Sequence, residues 1–132
     1  MKGLHIVIAE DDIDDGEIVI KSFGKHSLFT KVDWVKNGKE LLDYLNDSSP
    51  KPDVILTDIN MPIMNGIDAL EEICETPLLK NIPIFVYSST LNPVYEMKCM
   101  DLGVKGFLIK PLSLKEFDII PTKIVDTLRT DV

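Results

Sequence analysis

Five short apolar runs, each followed by a stretch with helical spacing, constrain this chain more than any other feature. The runs cover residues 5–9, 32–35, 53–57, 82–87 and 104–109. The first, third and fourth are nearly continuous aliphatic segments, as expected of strands buried on both faces. Helical spacing follows over 14–23, over 37–45 through Leu41, Leu42 and Leu45, and over 66–75 through Ile67, Leu70, Ile73 and Cys74. Asn92 as an N-cap with Pro93 at the first helical position predicts a helix to about Asp101, with Gly103 as its stop. Ser113, Leu114, Lys115 and Glu116 form a capping box that opens the last helix. Pro121 is expected to kink or divide that helix, and the spacing resumes at Ile124, Val125 and Leu128. Strands alternating with helices imply an α/β fold whose parallel sheet is covered on both faces. In such folds the ligand site lies outside the carboxyl ends of the strands, so the residues just after each strand carry most information.

At 132 residues and 45% hydrophobic, the chain fits one compact domain with a real core. The net charge of −8 argues against direct binding to a nucleic-acid backbone. No apolar run is long enough to cross a bilayer, so no membrane insertion is expected. The N-terminal apolar run meets Glu10, Asp11 and Asp12 too soon for a signal peptide, and a cytoplasmic location is expected. Cys74 and Cys99 show neither metal spacing nor a disulfide framework and read as buried thiols. His5 and His26 have no visible metal or triad partner. Met61, Met64, Met97 and Met100 read as packing residues.

The strand ends hold a chemically pointed set. Glu10, Asp11 and Asp12 follow the first strand and Asp58 the third; Ser88, Ser89 and Thr90 follow the fourth, and Lys110 and Pro111 the fifth. Each alone has a plain structural reading. A lone Asp after a strand is usually a helix cap, Ser88 a turn residue and Lys110 a solvated charge. Asp14 and Asp15 read as first-turn residues favoured by the helix dipole. Asp12 keeps at most a place in the outer hydration layer of an ion, and Phe107 is as readily core as functional. The fold rule brings the set together, and that reverses the priors. Clustered carboxylates need a cation or must protonate. Hard oxygen ligands with room for water suit Mg²⁺, or Mn²⁺. Asp58 could then attack phosphorus as a carboxylate nucleophile, with Lys110 and Ser88 meeting phosphoryl oxygens.

Four segments carry a family resemblance: Ile8 to Asp12, Ile55 to Pro62 with Gly66 shortly after, Ile82 to Ser88, and Gly106 to Pro111. Together they resemble the receiver domain of two-component response regulators over nearly the whole chain. The resemblance implies a CheY-like, flavodoxin-like (βα)5 fold with sheet order 2-1-3-4-5. It implies Asp58 as phosphoacceptor, Glu10 and Asp11 as the acidic pair at the metal, and Asn60 as donor of a backbone carbonyl to it. Ser88 matches the switch hydroxyl, Phe107 the aromatic switch and Lys110 the lysine of the site, and the bond between Lys110 and Pro111 would be cis. Glu10, Ser88 and Phe107 stand where many relatives carry Asp, Thr and Tyr. A sensor histidine kinase or a histidine phosphotransfer protein is the implied donor, and an unidentified protein the output partner.

The expectation is therefore a single receiver domain over 1–132 with no output domain, acting as a switch and not as an enzyme. Two rivals remain. One is a phosphorylation-independent docking module. The other is a Mg²⁺-dependent phosphohydrolase, which would place an Asp-x-Asp nucleophile after the first strand, where Glu10 and Asp11 stand here. A flavin-phosphate carrier is excluded, because the acidic loop after the first strand would repel the phosphate.

Overall fold

The computed structural model describes residues 3–90 and 92–130. Strands β1 (Leu4–Ala9), β2 (Phe29–Val35), β3 (Val54–Asp58), β4 (Ile84–Ser88) and β5 (Gly106–Ile109) form one sheet in the order β2-β1-β3-β4-β5. Every pairing is parallel. Helices α1 (Ile13–Lys25), α2 (Gly38–Asp47), α3 (Gly66–Glu75), α4 (Pro93–Asp101), α5 (Leu114–Phe117) and α6 (Ile119–Thr130) connect the strands and close the chain. The expected α/β class, sheet order and CheY-like architecture are all present.

Alternation along the strands divides the core in two. Val7, Ala9, Ile55 and Val86 face Leu41, Leu45, Leu70 and Ile73 of α2 and α3. Ile6, Ile8, Leu56, Phe85 and Tyr87 face Val19 and Phe23 of α1 and Ile120 and Ile124 of α6. Because both faces are covered, β3 and β4 are buried at every position. That is the physical reason they open on apolar runs, Val54 to Leu56 and Ile84 to Val86.

Element boundaries differ from expectation at informative places. β2 begins at Phe29, three residues early, because an edge strand tolerates the exposed Thr30 and Lys31. β3 extends to Asp58, so the candidate phosphoacceptor is the last strand residue and is anchored by sheet pairing opposite Tyr87. The last helix divides at Asp118, ahead of Pro121, which falls in the first turn of α6 where a missing N–H costs nothing. Asn92 and Ser113 cap α4 and α5 as expected, and Gly103 follows α4 at φ +85°.

Three expectations are corrected. Lys110–Pro111 is not cis; the cis X-Pro bond among the described residues is Ser49–Pro50. Trans is the isomer an X-Pro bond takes unless its surroundings select otherwise. Met97 and Met100 are mostly exposed on α4, because the buried side of that short helix is held by Cys99. Cys99 is buried, but Cys74 is only partly so, with its thiol donating to the carbonyl of Leu102.

Candidate functional site

The carboxyl ends of β1, β3, β4 and β5 converge, and each delivers a polar side chain. Glu10 follows β1 and is held in line by its N–H donating to the Val35 carbonyl. The chain then turns through Asp11 into α1, whose N-cap is Asp12: its carboxylate accepts from the Asp15 N–H at 2.9 Å. Asp12 thus spends its side chain on a cap and is absent from the acidic cluster, as the plain reading had it. Asp58 is buried at the end of β3, with Oδ1 accepting from the Ile59 N–H at 2.7 Å. The loop after it folds back tightly. The Gly66 N–H donates to the Ile59 carbonyl, and a Cβ on Gly66 would lie 2.1 Å from the Asp58 carbonyl oxygen. Only glycine lets α3 start this close to β3. Within that loop Ile63 sits at φ +69° with its side chain exposed, an unfavourable backbone conformation for a β-branched residue.

Carboxylate oxygens of Glu10, Asp11 and Asp58 lie within 4.8 Å of one another. Lys110 reaches the same spot from the end of β5, where its N–H donates to the Ser88 carbonyl at 2.8 Å. Its ammonium meets Glu10 Oε1 at 2.7 Å, Asp58 Oδ2 at 2.9 Å and Asp15 Oδ2 at 3.2 Å. Ser88 is buried at the end of β4, with Oγ accepting a long hydrogen bond from the Thr90 N–H. Asn60 is exposed two residues past Asp58. Phe107 is partly buried on β5 and packs against the core on the α2–α4 side of the sheet.

The charges are not balanced. Burial pushes the Asp58 carboxyl up to about 6, and Glu10 adds to the rise, although the hydrogen bond from Lys110 opposes it. Burial and the neighbouring Glu10 also raise Asp11. Burial alone would lower the Lys110 ammonium, but its hydrogen bonds to Glu10 and Asp58 win and hold it above the usual lysine range. One lysine therefore does not neutralise this pocket. The donor set, three carboxylates with surplus negative charge, fits a hard divalent cation.

Two participants escaped the sequence reading. Tyr87, buried on β4, donates its hydroxyl to Glu10 Oε1 at 2.6 Å, and the Lys110 ammonium lies 4.9 Å from its ring centre. Burial and Glu10 push this hydroxyl well above the usual tyrosine range, so it stays a donor. The available signal was a tyrosine hydroxyl within a buried strand, which requires a partner. Asp15, read as a first-turn residue, also pairs with Lys110. Trp34 on β2 completes the support. Its indole N–H donates to the Glu10 carbonyl at 2.9 Å, and its ring lies where a Cβ on Gly16 would fall.

This geometry has known counterparts. The family model of the response regulator receiver domain matches residues 6–120. The chain belongs to that family. It is 30% identical over 114 residues to the two-component response regulator ORR12 of Oryza sativa subsp. japonica, covering 86% of this chain and 92% of that one. Among solved structures, the phosphorylated cyanobacterial phytochrome response regulator RcpA superposes with a TM-score of 0.85 at 28% identity, covering 92% of this chain and 91% of its own. The Mn(2+)-bound form of response regulator Rcp1 gives 0.83 at 26% identity, with the same coverages. As a receiver domain the protein is a signalling switch of a two-component system, not a turnover enzyme. Its acidic pocket is of the kind that holds a metal ion in receiver domains, and membership implies a histidine kinase as partner. No helix among the described residues is long and apolar enough to cross a membrane.

Proposed function

We propose that Asp58 accepts a phosphoryl group from the phosphohistidine of a sensor kinase or a histidine phosphotransfer protein, in a step that requires Mg²⁺ or Mn²⁺. The observation that carries this is the uncompensated pocket: a buried Asp58 within 4.8 Å of Glu10 and Asp11, with Lys110 at 2.9 Å. Asp11, Asp58, the Asn60 carbonyl and, directly or through water, Glu10 would hold the ion. A bound divalent cation supplies neutralisation of phosphoryl oxygens as charge develops on them.

The chain's own residues do the rest. Asp58 presents a carboxylate oxygen whose position is fixed by the Ile59 N–H on its other oxygen. That oxygen forms the new O–P bond as the P–N bond of the phosphohistidine breaks, and the imidazole leaves with the bonding pair. Lys110 then donates to one phosphoryl oxygen and Ser88 to another. Ser88 moving toward the phosphoryl group opens space for Phe107 to turn inward, and the face made by α4, β5 and the helices after β5 changes shape. That face has material to present: Val94, Met97 and Met100 are exposed on α4, and a groove of about 500 Å³ between β5 and α6 is lined by Phe107, Ile109, Leu112 and Ile119. Its readout is contact with a protein partner.

The test is intact mass after incubation with phosphoramidate, with and without Mg²⁺. One added phosphoryl group that requires the ion and is absent in Asp58→Asn supports the reading. No adduct under conditions that modify a control receiver domain favours a phosphorylation-independent docking module.

A further inference from the structure

Of the three carboxylates in the acidic pocket, Glu10 is held most tightly. It is wholly buried, whereas Asp11 is exposed. Its N–H donates to the Val35 carbonyl, and its own carbonyl accepts from the Trp34 indole. The carboxylate is gripped at both ends. Oε1 accepts from the Tyr87 hydroxyl at 2.6 Å, and Oε2 accepts from the Asp12 N–H at 3.1 Å. The Lys110 ammonium lies 2.7 Å from Oε1, so a cation approaching that oxygen meets a like charge. The carboxylate plane cannot turn without breaking one of these contacts. Toward an ion, Glu10 is therefore limited to a single oxygen, Oε2. The Tyr87 ring itself packs in the core on the α1–α6 side of the sheet, with Ile8, Leu56 and Phe85. Only its hydroxyl restrains Glu10.

We propose that Tyr87 is a positioning residue that sets cation selectivity: by holding Oε1, it stops Glu10 from offering both oxygens to an ion, which favours Mg²⁺ over Ca²⁺. The proposal rests on reading the pocket as a cation site. Mg²⁺ is served by one or two carboxylates and several waters. Ca²⁺ takes about six to eight oxygens and gains from a carboxylate that presents two. A clamped Glu10 leaves the first ion satisfied and the second short of ligands.

The experiment titrates MgCl₂ and CaCl₂ separately into the full chain, with no phosphodonor present. Binding is read from the fluorescence of Trp34, the single tryptophan, which is tied to the Glu10 carbonyl. Both affinities are taken on one preparation, so that a change in folded fraction cancels in their ratio. For Tyr87→Phe we expect the ratio of Ca²⁺ to Mg²⁺ affinity to rise about three- to tenfold, the factor that one exchanged hydrogen bond carries. Adding Glu10→Gln to Tyr87→Phe should return the ratio to that of the unsubstituted chain, because Tyr87 acts through Glu10. Glu10→Gln alone should weaken both ions alike and leave the ratio unchanged. That arm decides by itself if Tyr87→Phe does not fold. An unchanged ratio in Tyr87→Phe would overturn the proposal, as would a rise that survives Glu10→Gln. So would a fall in the ratio in Glu10→Gln alone, which would mark Glu10 as a two-oxygen ligand already. Binding of neither ion by the unsubstituted chain would overturn the cation-site reading itself, and the proposal with it.

Discussion

β1 is bracketed by two clusters of ionisable groups that solve opposite problems. Near its start, the His5 ring Nε2 lies 3.1 Å from Asp33 Oδ2 and 2.7 Å from the Tyr44 hydroxyl, which itself donates to Asp33 at 2.5 Å. Burial works to raise Asp33, but the hydrogen bonds from Tyr44 and His5, helped by Lys31, hold it below the usual aspartate range. After the end of β1, Glu10, Asp11 and Asp58 share essentially one cation, and both Asp11 and Asp58 are raised. The first cluster is satisfied and contributes stability. The second is left short of positive charge, which costs stability and creates affinity for what the protein has yet to bind. The difference teaches that buried charge in this fold reports function only where its partners fail to balance it.

The contrast is sharpest for the two aspartates at pH 7 without divalent cation. Asp58 has a folded-state value of about 6, above its unfolded value of 3.8. Its contribution to stability is therefore fully present below the unfolded value and is lost as pH rises through about 6. Asp58→Asn should stabilise the chain at pH 7 by up to about 3 kcal/mol, an upper bound because the amide keeps only part of the geometry. The gain should vanish below pH 4. Thermal unfolding at the two pH values checks both statements, and destabilisation at pH 7 would break the contrast.

Tyr87→Phe comes next. It removes a donor from a buried carboxylate without changing the packed ring, and should destabilise the chain by about 1.5–3 kcal/mol in urea unfolding. Asp33→Asn should cost less, about 0.5–1 kcal/mol, because Asp33 is partly exposed. Its sign with pH is opposite to that of Asp58. Asp33 is lowered, so its contribution is present above the unfolded value and is lost as pH falls through the folded one. A larger loss for Asp33→Asn at pH 4 than at pH 7 would contradict it. An effect of similar size but opposite sign to that of Asp33→Asn is expected from Ile63→Gly, which relieves the φ of +69° at an exposed position. A gain of about 0.5–1 kcal/mol should remain after the entropy cost of glycine.

Much of this was legible in the sequence, for reasons that also mark the limit. The fold followed from alternating apolar runs, because burial on both faces of a parallel sheet leaves a run of consecutive apolar residues in β3 and β4. Glu10, Asp11, Asp58 and Lys110 were legible because each lies at or just past the end of a strand, and the fold rule alone brings strand ends together. What stayed hidden depends on reach and register. Asp15 meets Lys110 only through the phase of α1 on the sheet. His5 meets Asp33 and Tyr44 through the β1–β2 register and the seating of α2, none of which has a local sequence signal. The isomer of Lys110–Pro111 was inferred from resemblance, and the structure differs there.

The decisive property of the site is which carboxylate receives the phosphoryl group. The most direct measurement is to phosphorylate the chain with phosphoramidate and Mg²⁺, reduce the acyl phosphate with borohydride and locate the resulting homoserine by peptide mass. We expect it at position 58 alone, and only when the cation is present. Homoserine at Asp11, or at Asp58 independently of the cation, would contradict the assignment of the unbalanced pocket as a cation-dependent phosphoacceptor site.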